Sequence, residues 1–203
     1  MDFVGMAGVL WPWLLSVASG VGASCLTWRL TTKSVREAEV RVLRREAAVE
    51  LCVPLRQLQT LICRHGRTNP PPSPGEVASA FLAWTTAFDQ FGHRLPDRWQ
   101  HVGRSVRAAS GTVFGPVTFA DIRPDAVGEA LEVPNFVWQD FGDDYIEYLL
   151  RAFLPWGDSL IDGGRIVWDF DVWLRETGRR DAPGGCNLFG EPWYLRILGM
   201  RSA

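Results

Sequence analysis

Two Asp-x-x-x-His pairs, Asp89 with His93 and Asp97 with His101, are the residues whose spacing most directly suggests chemistry. On a helix, positions i and i+4 share a face, so each aspartate would orient its histidine. Two such pairs converging would offer carboxylate and imidazole ligands to a metal ion. Gly92 and Pro96 lie between the pairs, and the competing reading is surface hydrogen bonding around a helix–helix turn. A second cluster is Asp140, Asp143, Asp144 and Glu147. On one helix Asp140, Asp144 and Glu147 share a face, where convergent carboxylates bind divalent cations or act as acid and base. No Glu-x-x-His di-iron motif accompanies them. The alternative is a solvated acidic face opposite arginines of another element. Gly163-Gly164 and Gly184-Gly185 lack the strand, lysine and spacing of a phosphate loop. No cofactor is implied.

The elements that would hold these residues read as helices. Ser73, Pro74 and Glu76 form a start signal of N-cap, first-turn proline and capping box. Val77, Ala80, Phe81, Trp84, Ala87, Phe88 and Phe91 then follow one helical face up to Gly92. A second helix is expected from near Pro96 to Gly111, burying Trp99, Val102, Val106 and Ala109. Residues 112–124 read as irregular or briefly extended, and 125–132 as a short helix. A further helix starts near Asn135, presents Val137, Trp138, Phe141, Tyr145, Tyr148, Leu149 and Ala152, and stops at Pro155. Another covers about 164–177, burying Ile166, Val167, Phe170, Trp173 and Leu174. Pro192 to Leu198 reads as an apolar tail docking on the core. The fold class is mainly α, a small helical bundle behind a long stem helix and a single transmembrane helix.

The stem is expected over 32–66. Val35, Ala38, Val42, Val49 and Cys52 fall near heptad spacing, and Leu51, Leu55, Leu58 and Ile62 continue on a shifted face, with Pro54 kinking or breaking the helix. The polar first half suits a coiled coil. Thr68 to Gly75, with three consecutive prolines, reads as a stiff connector, although Pro71-x-x-Pro74 formally matches a proline-rich ligand pattern.

Between Asp2 and Arg29 the chain carries no charge. As a helix these positions would measure about 39 Å against a hydrocarbon core of about 30 Å. Trp11 and Trp13 would mark one interface, and Trp28, Arg29 and Lys33 the other. Lys33, Arg36, Arg41, Arg44 and Arg45 follow the span and no Lys or Arg precedes it, which by the positive-inside rule puts the remainder in the cytoplasm. A cleaved signal would want a basic start, which is absent, and a lipoprotein would want a leucine-like residue where Gly22 stands before Cys25. The other alternative is a buried helix of a soluble fold. Ser16, Gly20 and Ser24 recur every four residues, as helix-association faces in bilayers do.

The division this implies is a transmembrane anchor (1–30), a basic juxtamembrane stem (31–67), a Pro-rich linker (68–75) and a helical cytoplasmic domain (76–203). Charge follows it. Residues 29–67 carry nine cations against four glutamates, and residues 121–191 carry fifteen acids against six arginines. An acidic distal half argues against nucleic acid as a partner. Cys25, Cys52, Cys63 and Cys186 form neither a metal knuckle nor a dense disulfide pattern. The function expected is a membrane-anchored protein-interaction or accessory module, with the lipid bilayer and a protein partner or a second copy as its contacts. The alternative is a membrane-tethered metal-binding or hydrolase-like enzyme using the Asp, His and Glu side chains above.

Overall fold

The computed structural model describes residues 4–159 and 165–179, those up to Thr32 as helical backbone only. Five α-helices run in order: α1 (Val4–Arg64), α2 (Pro74–Phe91), α3 (Val102–Phe114), α4 (Phe136–Asp158) and α5 (Phe170–Glu176). Short 3₁₀ turns lie between α2 and α3 and between α3 and α4, and there is no strand among the described residues. The chain is therefore mainly helical, as its periodicity requires. Among the described residues no helix is long and apolar enough to cross a membrane. The expected span over 3–28, its interface residues Trp11, Trp13, Trp28 and Arg29, and the face of Ser16, Gly20 and Ser24 lie outside the side chains described. So do Gly163-Gly164, Cys186 and the tail Pro192 to Leu198.

Two compact units divide at Val42 and Leu43, inside the stretch read as stem. In the first unit, Lys33 to Val42 are all exposed helix. The second unit has one continuous core. Ala47, Ala48, Leu51, Cys52, Leu55, Leu58 and Ile62 of α1 are buried in it. Against them pack Val77, Phe81 and Trp84 of α2, Val102, Val106 and Val113 of α3, and the apolar face of α4 from Trp138 to Trp156. Of the two stripes on the stem, the leucine face is buried. Val35, Val42 and Val49 stay exposed.

Helix ends explain where elements begin. Ser73 Oγ accepts the Glu76 amide, and the Glu76 carboxylate accepts the Ser73 amide at 2.7 Å, so the expected capping box is formed. Asn135 caps α4 through the Val137 and Trp138 amides, and Asp169 caps α5 through Val172.

Several boundaries differ from expectation. Helix α1 continues through Pro54 rather than breaking there, and the ring is buried. Helix α4 runs past Pro155 to Asp158. The carbonyl that proline cannot serve, Arg151 O, accepts Arg165 Nη1 at 2.9 Å. Helix α3 passes Gly111 and stops at Gly115, whose φ of 73° leaves the helical region. Residues 115–119 are a 3₁₀ turn instead of an extended piece, and 124–128 form a second such turn. Residues 165–169 are not helical, and Ile166 is exposed.

Candidate functional site

The acidic face of α4 is where the sequence concentrates candidate ligands. Each of its three carboxylates meets a different arginine. Arg67 Nη2 donates to Asp140 at 2.6 Å from the turn after α1. Arg179 Nη2 donates to Asp144 at 2.6 Å from beyond α5. Arg151 Nε donates to Glu147 at 2.8 Å from one turn along α4 itself. That last pairing comes first among the causes that hold the Glu147 carboxyl below its ordinary range. Asp143 points elsewhere, with one buried oxygen that has no hydrogen-bond partner among the described residues. A divalent cation would have to displace three guanidinium groups to gather these carboxylates.

Neither Asp/His pair lies within a single α-helix. Helix α2 ends at Phe91, so Asp89 lies on it while His93 sits in a 3₁₀ turn beyond its cap. Asp97 lies in another 3₁₀ turn, and His101 directly precedes α3. Each pair straddles an element end. Asp89, His93 and Asp97 are exposed, and His101 is half-buried with Nε2 lacking a hydrogen-bond partner among the described residues. Among the described residues, no group of three or more His, Cys, Asp or Glu side chains is arranged to hold a metal ion.

Cys52 and Cys63 are the cysteines with described side chains. Burial raises the Cys52 thiol to about 11. Burial, then the neighbouring Asp143 carboxylate, raises Cys63. Neither has the electropositive surroundings that produce a reactive thiolate.

The polar groups that the structure does gather tie segments together. His65 is buried against the Phe114 ring, with Nε2 2.9 Å from the Glu132 carbonyl. Gln139 Nε2 donates to the His65 carbonyl at 2.6 Å. The turn after α1 is thereby fastened to the segment before α4. Gly66 sits in this turn at a φ of 68°, where a Cβ would lie 2.5 Å from Pro134 Cβ. Arg107 is a second tie. Its guanidinium lies over the Phe81 and Phe119 rings, at 4.8 and 5.1 Å, and donates to Asp121 and to the Thr118 carbonyl. Arg107 holds the Asp121 carboxyl below its ordinary range. Arg179 repeats the pattern over Trp173 at 4.5 Å. These arginine–aromatic ties were missed in the sequence. The surplus of arginine over lysine and the aromatic content were visible there, but the partners lie far apart along the chain.

An open groove runs between Gln57, Thr60 and Leu61 of α1 and Gly75, Glu76, Ser79 and Ala80 of α2. Its one carboxylate, Glu76, is already engaged in capping α2.

No family model, no curated protein and no solved structure matches this chain.

Proposed function

We propose that this chain is a membrane-anchored protein-interaction or accessory module, held at the bilayer by residues 1–30 and presenting its distal helical unit in the cytoplasm. The observation that carries the reading is a contrast along α1. The residues between Asp2 and Arg29 bear no charge, and cations follow only on the C-terminal side. Residues 47–62 of the same helix form part of the core of a distal unit. Support also comes from how that unit uses its polar side chains. Asp140, Asp144 and Glu147 of α4 pair with arginines, and Gln139 and Trp99 donate to backbone carbonyls. Large apolar side chains remain exposed on it, Val133 at 80% and Phe136 at 54%, which is where a partner would gain contact area.

Membrane partition of the full chain tests the anchor. The full chain is expected in the membrane fraction, released by detergent and not by high salt, while a chain lacking residues 1–30 partitions to the soluble fraction. Recovery of the full chain in the soluble fraction without detergent would overturn the reading. Salt release would reduce it to electrostatic attachment through the stem arginines.

A further inference from the structure

The exposed stripe on α1 goes further than an unspecified partner. Val35, Val42 and Val49 recur every seven residues along α1 and are 50%, 67% and 48% exposed. Numbered as a heptad they take the a positions, with Ala38 at d, Glu39 and Glu46 at e, and Arg41 at g. All of these are exposed. β-Branched residues at a favour two strands.

The flanking charges select an orientation. In a parallel pair, a g residue faces the e residue five positions later on the other helix, so Arg41 meets Glu46 twice across the two-fold axis. In an antiparallel pair, e faces e and g faces g, which sets glutamate against glutamate and Arg41 against Arg41. The remaining d position holds Arg45, whose Nε lies 3.8 Å from Asp158 of its own distal unit. The seam therefore depends on the valines.

We infer that α1 self-associates as a parallel, in-register pair of stem helices along Val35, Val42 and Val49, with Arg41–Glu46 pairing across the seam. The occupant of the stripe is a second copy of this chain. Two heptads make a short seam, so the inference rests on the proposed anchoring, which concentrates chains in the bilayer plane with their stems pointing the same way.

Cysteine crosslinking of the full chain in native membranes tests it, with the four natural cysteines replaced (alanine at Cys52, serine elsewhere). Val35→Cys and Val49→Cys are each expected to form a disulfide-linked dimer with themselves under mild oxidation. Val40→Cys, on the far side of the helix, is expected to crosslink about tenfold less. Equal crosslinking at positions 35 and 40 would overturn the seam. Linkage of position 35 to position 49 in mixed membranes, without self-linkage of either, would overturn the parallel orientation. Arg41→Glu is expected to weaken the dimer about tenfold and Glu46→Arg to do the same, with the double exchange restoring it. Glu46 also pairs with Arg94, so a circular-dichroism melt checks that each variant folds. Failure of the exchange to restore association in folded protein would remove the charge pairing. A monomer found in the membrane fraction sinks this inference alone, and a dimer found in the soluble fraction sinks the anchor alone.

Discussion

The two halves of α1 beyond residue 32 share a helical backbone and little else. From Lys33 to Glu46 every side chain but the half-buried Arg44 is exposed, the apolar Val35, Val40, Val42 and Leu43 among them. From Ala47 to Ile62 a second apolar set, Ala47, Ala48, Leu51, Leu55, Leu58 and Ile62, returns every three or four positions and is buried, while Val49 and Val53 stay exposed. The difference shows that burial is decided by the width of the apolar stripe rather than by helix formation. The narrow valine line of α1 stays exposed. The broad leucine and alanine face is buried.

The largest expected break in this comparison is a single truncation on each half. Leu55→Ala should cost about 2–5 kcal/mol of stability, because it removes the isopropyl group from a close-packed interior. Val42→Ala should change the unfolding of the distal unit by less than about 0.5 kcal/mol. Urea unfolding followed by tryptophan fluorescence measures both, and equal effects would erase the distinction. Next in size is Gly157→Ala. Its new Cβ would lie 2.7 Å from Ala48 Cβ, where α4 and the buried half of α1 touch. Overpacking there should cost about 1–3 kcal/mol in the same assay, and a neutral result would mean that the helices part readily.

Asp121 sharpens the comparison by pH. Its carboxyl is lowered by Arg107, so its contribution is complete above the unfolded value of about 3.9 and is lost as pH falls through the folded one. Asp121→Asn should cost about 1 kcal/mol at neutral pH. The gap to the parent should then close below about pH 4. A gap independent of pH would show that the charge is not what matters. Ser73→Ala should cost a similar amount, about 1 kcal/mol, by uncapping α2. Smallest is Lys33→Ala on the exposed half, where the i, i+4 contact to Glu37 at 3.8 Å should contribute no more than about 0.5 kcal/mol.

What could be read from the sequence was what local chemistry decides. Ser73-Pro74-x-Glu76 specifies its own geometry, and the apolar face of α2 is nearly uninterrupted, so both appear where expected. The ends of α3 and α4 were not legible, because they depend on distant partners. Pro155 reads as a stop until Arg165 supplies a donor to the carbonyl it leaves bare. Gly111 reads as a terminator, but it is buried inside α3, and the chain turns at Gly115 instead. For the candidate ligands, sequence placed Asp140, Asp144 and Glu147 on one helix, and α4 carries all three. It could not show that Arg67 and Arg179 come from outside α4 to meet two of them. The Asp/His spacing presumes one continuous helix under each pair, whereas both pairs run across element ends.

The stretch before α5 has no regular hydrogen-bond ladder, yet side chains hold its backbone. Tyr145 donates to the Trp168 carbonyl, the Tyr148 hydroxyl accepts the Trp168 amide at 3.0 Å and reaches the Ile166 carbonyl, and the Trp99 indole donates to Arg165 O. Peptide hydrogens in such a stretch ordinarily trade with solvent deuterium almost at once. Here the Trp168 amide is set apart, its exchange gated by release of a phenol rather than by unwinding of a helix.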